Sequence, residues 1–355
     1  MAERALILYR PALPSLRAQS IACLAAAHAL AKRGLTVTLL ADRATPEACP
    51  ASALALLGLD PAPTLDLRVA PTRHPGLAGL WFRAQLLAWA AGPPGHVIAR
   101  DRRRLASALP WLRRHRVLLE AHGLDSALAE ERGEDPRPHL AVERAAATGA
   151  RGFFANCEGV LDAWERAHGE HLPAARAVVH NGTGAERERG ARPREPVIRV
   201  LGSLRAYKGA SWLLAAAEAL PAPLEWVGGT AAEREAAGAP ANTRLLPPAP
   251  YGQVPDLLAS AGALLLPLDD NLFGREQTSP LKLWDYLATA TPILAPDLPS
   301  ARRVSARADR AFHWFRPGHA PDLARAAREA LAAPPRAPFL RTWAERAAEV
   351  EALLT

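Results

Sequence analysis

The chain has 355 residues, 49% hydrophobic and 22% charged, which is enough apolar material for two ordinary domains and too little charge bias for a disordered one. Its 43 lysines and arginines against 36 acids leave a net +7, but no helix-turn-helix, zinc-finger spacing or aromatic RNA motif accompanies them, so nucleic acid is not a favoured partner. Three cysteines without metal-like spacing (Cys23, Cys49, Cys157) fit a reducing compartment, the opening apolar run is too short for a signal core, and no stretch is long enough to span a bilayer.

Short apolar runs alternate with amphipathic helical segments, the pattern of βαβ units on a parallel sheet. Residues 4–9 (RALILY) read as a strand and 16–34 as a helix closed by Gly34, with 35–42 as the next strand. The segment 80–92 (LWFRAQLLAWAAG) reads as a short helix carrying Trp81, Phe82 and Trp89, packed on its own domain or lying on a membrane surface. Strands follow at 96–100, 116–123, 152–157 and 176–182. The densest cationic run, RDRRR at 100–104, reads as a solvated helix face.

A polar stretch broken by Gly and Pro then separates two halves, giving a first domain at 1–185 and a linker at 186–196. The second domain, 197–335, has strands at 197–203, 224–229, 243–248, 262–268 and 292–297, with helices at 210–220, 280–290 and 320–333. A last helix, 340–354, lies within a closing segment 336–355. Two Rossmann-like halves of this kind bind ligands at the carboxyl ends of their strands.

Only Lys32, Lys208 and Lys282 are lysines, and two of them fall where helices begin. In TSPLKLWDYLATATP (278–292), Ser279 and Pro280 suit a helix opening, and Lys282 adds a point charge beside free backbone N–H groups. Asp285 is placed one turn further on, where a carboxylate accepts hydrogen bonds from a vicinal diol such as a ribose. In GSLRAYKGASW (202–212), a Gly202-containing loop carries Arg205 and Lys208 ahead of the next helix. Three cations on two such loops match the charge of a pyrophosphate.

These two segments resemble the nucleotide-sugar half of family-four glycosyltransferases, which have the GT-B fold, in the branch with a Ser-Pro-Leu-Lys-Leu-aromatic-acid-Tyr helix. Weaker similarity in PSLRAQSIACL, VLLEAHGL, ANCEGVLDAW, VVHNGTG and RTWAERAAEVEALL extends it over most of the chain. The resemblance implies two Rossmann-like domains facing across a cleft, with the final helix crossing back to the first. It implies that Arg205 and Lys208, on the loop with Gly202 and Ser203, hold the donor pyrophosphate. Ser279, Pro280, Leu281 and Lys282 would hold the distal phosphate, and Asp285 the ribose. His122 would face the transferred sugar or the acceptor, and Ser15 and Arg17 would line the acceptor side. The family's first acid is replaced by Gln277, with Glu276 one residue out of register; Ser203 stands where an Arg is common, and Ala290 where a Gly often ends the helix.

The function so implied is a glycosyltransferase of the hexosyltransferase type, retaining and metal-independent, in cell-surface polysaccharide biosynthesis. It would use a UDP- or GDP-linked sugar and a glycan or lipid-linked acceptor, with no cofactor, no metal and no nucleic-acid partner. A cytoplasmic location is expected, with peripheral contact at the inner membrane face left open. A non-catalytic nucleotide-sugar binder and a nucleotide-sugar epimerase are the alternatives, and Asp269 and Asp270 are weighed as a minor metal candidate.

Overall fold

The computed structural model describes residues 3–184, 188–190 and 193–354; Glu186, Arg187, Ala191 and Arg192 of the expected linker lie outside the described residues. Two compact units emerge. One comprises Met1–Gly182 with Trp343–Thr355, the other Thr183–Thr342.

The first unit holds strands β1 (Arg4–Leu8), β2 (Ala12–Leu13), β3 (Thr36–Arg43), β4 (Leu65–Val69), β5 (His96–Ala99), β6 (Arg116–Ala121), β7 (Gly152–Ala155) and β8 (Arg176–Val178). All pair in parallel, in the order β2-β3-β1-β5-β6-β7-β8, with β4 also on β3. Near-continuous apolar runs such as Ala5–Leu8 and Phe153–Ala155 are buried, as strands covered on both faces require. Leu6, Val97, Leu119, Phe153 and Trp164 form one side of the core.

The second unit holds β9 (Glu195–Leu201), β10 (Leu224–Val227), β11 (Thr243–Leu246), β12 (Ala261–Leu265), β13 (Ile293–Pro296) and β14 (His313–Phe315). Its parallel order, β11-β10-β9-β12-β13-β14, is third-second-first-fourth-fifth-sixth within the unit. That is the doubly wound order, with its reversal, and so its ligand crevice, between β9 and β12. In the first unit the equivalent reversal falls between β1 and β5.

The first long helix runs Ala18–Lys32 and stops as expected at Gly34, whose φ of +101° suits glycine. Several expected elements are shorter. The 210–220 helix is Ala210–Ala215 followed by a 3₁₀ turn, Ala217–Ala219, and 280–290 is only Leu281–Leu287. The expected 80–92 helix is longer, Pro75–Ala91. Strands Leu65–Val69 and His313–Phe315 and helices Pro50–Leu57 and Pro299–Arg307 were not anticipated, because each is brief and mixes polar with apolar residues.

The final helix, Trp343–Ala352, belongs to the first unit and packs on Ala18–Lys32. Arg33 meets Glu351 at 2.6 Å on the surface. Below, Arg346 Nη2 donates to Glu120 Oε1 at 2.7 Å, both side chains 3% exposed. Glu120 also faces Arg100, whose Nε lies 3.5 Å away. Removing one member of a buried pair strands the other's charge. Glu120→Gln, which leaves Arg100 and Arg346 buried without their carboxylate, is therefore expected to cost about 3 kcal/mol in urea denaturation, whereas Arg33→Ala at the exposed pair changes the midpoint little.

Candidate functional site

In the second unit, the Leu281–Leu287 helix is locked onto the reversal of strand order. The Tyr286 hydroxyl accepts from the Leu201 amide at the end of β9 (2.9 Å) and donates to the Leu265 carbonyl at the end of β12 (3.2 Å). Arg310, 4% exposed, donates to the Leu287, Thr289 and Thr291 carbonyls and so satisfies the helix's C-terminal end. Ser279 does not cap this helix. Pro280 occupies the cap position with an extended ψ of 118°, and the Ser279 hydroxyl instead accepts from the buried Trp284 indole at 3.2 Å, meeting that indole's need for a partner.

This anchoring holds Lys282 under the loop that follows β9. A Cβ added to Gly202 would lie 2.8 Å from Lys282 Nζ, and Gly202 itself has φ +123°, so no other residue fits there comfortably. The Gly202 carbonyl accepts from the Trp226 indole at 2.9 Å, which fixes the loop from behind. Lys282 Nζ is buried and has no hydrogen-bond partner among the described residues. Desolvation and then the nearby Lys208 hold its pKa well below that of a free lysine. Lys208, at the end of the 3₁₀ turn Ala206–Lys208, is lowered by burial and by Arg205, with Glu233 opposing. Arg205 is half exposed, its Nε 3.8 Å from Glu233. Glu233 is itself used in capping its own helix, accepting from the Thr230 amide at 2.9 Å. The sequence-derived group of Gly202, Arg205, Lys208 and Lys282 is thus brought together, and a helix of seven residues leaves most of the work to the side-chain charges.

Asp285 sits on the other flank of the same helix. Thr183 Oγ1 donates to its Oδ1 at 2.6 Å and the Gly184 amide adds a second bond. Burial outweighs both and pushes its pKa up to about 7. Gln277 is buried and Glu276 half buried, so the amide rather than the acid is the one directed inward. Ser203, Pro280 and Leu281 are half buried in the same two segments. Asp270 pairs with Arg275, and the Asp269 carboxylate accepts from the Asp270 amide at 2.9 Å, as expected of a turn.

In the first unit, His122 stands just past β6 and both of its ring nitrogens are engaged. Nε2 lies 2.6 Å from Glu120 Oε1, and Nδ1 lies 3.2 Å from Asn156 Nδ2. The carboxylate acceptor and amide donor fix the neutral tautomer with the proton on Nε2. Desolvation first, then Arg100, lowers its pKa to about 4, against the pull of Glu120. Burial alone would raise the Glu120 carboxyl, but Arg100, Arg346 and His122 together hold it well below the usual carboxylate range. A neutral imidazole with 27% of its side chain open can donate or accept only by giving up a partner, so it suits contact with a ligand better than proton abstraction. Ser15 and Arg17 form a local turn, the Arg17 amide donating to Ser15 Oγ at 3.2 Å.

Glu120, Arg346 and Asn156 escaped the sequence reading, and Arg100, expected on a solvated helix face, instead precedes the helix and is buried against Glu120, its side chain 6% exposed. The one available signal was Glu120, an acid inside the apolar strand VLLEA, where a buried charge demands partners. Nothing local in the sequence indicates that Arg346, 226 positions away, is one of them.

No family model and no curated protein matches this sequence. Similar solved structures include sucrose-phosphate synthase from Thermosynechococcus elongatus, with TM-score 0.72 and 17% identity over 99% of this chain and 95% of that one. Anabaena HepE, solved with UDP and glucose, has TM-score 0.64 and 14% identity over 99% and 95%. A Listeria monocytogenes protein described as a UDP-N-acetylglucosamine 2-epimerase has TM-score 0.58 and 13% identity over 99% and 96%. At these identities the likeness establishes the fold, and the fold is GT-B, two parallel-sheet α/β domains.

Two outcomes follow from the site's electrostatics. With a folded pKa of about 7 against 3.8 unfolded, Asp285 keeps a proton in the folded chain that the unfolded chain has released. Its contribution therefore declines as pH rises from about 4 to about 7 and is flat above that. The difference in unfolding free energy between Asp285→Asn and the parent, measured by urea titration, should shift in favour of the variant across this window. Lys282→Met should leave the ligand-free protein as stable or more so, because it removes a buried ammonium that nothing neutralises; a lower melting temperature would show instead that the ammonium is a structural partner.

Proposed function

We propose that the chain is a glycosyltransferase that moves a hexose from a nucleoside-diphosphate sugar, UDP- or GDP-linked, to a glycan or lipid-linked acceptor. The observation that carries this reading is the unpartnered Lys282 ammonium, clustered with Lys208 and Arg205 around the Gly202 loop at the reversal of strand order. Such a cluster is costly without a ligand and favourable with a diphosphate in it.

The chemistry follows from that placement. When the sugar–phosphate bond breaks, negative charge develops on the outer phosphate of the leaving nucleotide. Lysine and arginine groups already oriented there stabilise it without reorganisation. His122, neutral and held at both ring nitrogens by Glu120 and Asn156, would meet the sugar or the acceptor through the exposed edge of its ring. Retention of configuration, independence of metal and a role in cell-surface polysaccharide synthesis belong to this reading through the family resemblance alone. The non-catalytic alternative keeps one observation in its favour, since the buried amide Gln277 stands where the resembled family has an acid.

Calorimetric titration with UDP, GDP and ADP tests the proposal. One nucleotide should bind the parent, and Lys208→Ala and Lys282→Met should each weaken it by about 10- to 100-fold, one charge-assisted contact apiece. If no nucleotide binds, or if binding survives both substitutions, the transferase reading fails. Nucleotide binding without release of free nucleotide from any nucleotide sugar would leave the non-catalytic reading.

A further inference from the structure

The Pro75–Ala91 helix shows two apolar faces. Ala78, Phe82, Leu86 and Trp89 are buried against the first unit's core, and Trp81 packs on its edge. Of the two expected readings the aromatic residues follow the packed one and face inward, with Trp89 beneath the Arg4 guanidinium, 4.0 Å away. The outward stripe is instead Leu77, Leu80, Ala84, Leu87 and Ala91, at alternating spacings of three and four. Leu80 is 63% exposed, Leu77 56% and Leu87 40%. Trp111 is 44% exposed on the 3₁₀ turn Leu109–Trp111, which packs on the same helix. Contiguous exposed apolar surface of this kind marks an interaction site.

Charge indicates what covers it. Residues 70–117 contain nine arginines and a single acid, Asp101, a surplus of eight. The whole chain carries +7, so the remainder is within one charge of neutral. Within this segment Arg100 is buried beside Glu120 and Arg102 pairs with Asp125, so the charges available to a partner are the exposed ones. Arg73, Arg83 and Arg113 are exposed and have no ion-pair partner among the described residues. A second copy of the chain would bring like charges together on this face. An anionic bilayer answers both features, since the leucines and Trp111 enter the headgroup boundary while arginines meet lipid phosphates.

We propose that the exposed face of the Pro75–Ala91 helix, with Trp111 and the surrounding arginines, docks the first unit onto an anionic lipid surface. No helix among the described residues is long and apolar enough to cross a membrane, so this attachment is peripheral and reversible. Docking does not depend on the transferase reading. If that reading holds, it brings the first unit to the surface where a lipid-linked acceptor resides.

The test is flotation of the full chain with vesicles of phosphatidylcholine alone and vesicles in which about a third is phosphatidylglycerol. Binding should occur to the second only and be released by raising salt from about 0.1 M to about 0.5 M. Leu80→Asp with Leu77→Asp should abolish it, and Arg83→Gln should weaken it about fivefold. Unchanged circular dichroism and unchanged nucleotide binding would show that these variants are folded. Equal binding to both vesicle types, or undiminished binding by the Leu77/Leu80 variant, overturns the proposal. So does a parent that ignores vesicles but changes oligomeric state in gel filtration when Leu77 and Leu80 are replaced.

Discussion

One buried amine organises the second unit. Among the described residues Lys282 Nζ has no hydrogen-bond partner, and the helix that carries it is fastened at several points. Tyr286 ties it to the ends of β9 and β12, Trp284 to Ser279, and Arg310 to the carbonyls at its C-terminal end. A helix of seven residues has little stability of its own. It persists through these contacts, so the core supports the strain of an unpartnered charge. Stability given up at one position and supplied by its surroundings is what a preformed anion site requires.

The first unit solves the same geometric problem in the opposite way. Its strand order also reverses, between β1 and β5, and a cation also stands there: Arg100, just past β5, its guanidinium 5.3 Å from the Tyr9 ring. But Glu120 lies beside it and takes Arg346 and His122 as well. Two guanidiniums there share one carboxylate, which balances one of their two charges. That crevice already holds an anion of its own, and its exposed polar group is the neutral His122. The two halves share a topology and differ in whether a buried carboxylate stands among their central cations. On the proposed function, this difference, more than the fold, would separate a phosphate-binding half from one that meets uncharged hydroxyls.

Much of this was legible in the sequence because parallel sheets write themselves plainly. Runs such as ALIL, TVTLLAD and GALLL are apolar on both faces and punctuated by helices, which leaves few alternatives. The scarcity of lysine made Lys208 and Lys282 conspicuous, and the structure brings them into one cluster. What stayed hidden depends on tertiary distance. Thr183 is 102 positions from Asp285, and no local pattern reveals that the carboxylate is engaged there. The capping role read into Ser279 failed for a related reason. Propensity favours serine at a helix start, but a buried indole five residues away had the stronger claim on its hydroxyl. Trp81 and Trp89 were visible as a pair, yet the face they occupy is decided by the core they pack against, leaving leucines outside.

The distribution of charge bears on how the basic pI should be understood. Spread evenly, +7 would say little beyond solubility. Here the surplus lies within 70–117, and the clustered cations Arg205, Lys208 and Lys282 belong to a remainder that is close to neutral. Their attraction for an anion is therefore local, produced by burial and the shortage of nearby acids rather than by any overall field. Arg73, Arg83 and Arg113 act in the other regime, exposed and collectively, over distances where salt screens them. If the proposed function holds, raising ionic strength should loosen the second kind of contact well before the first, because a buried ammonium facing a phosphate would be shielded from the ions that screen an exposed guanidinium.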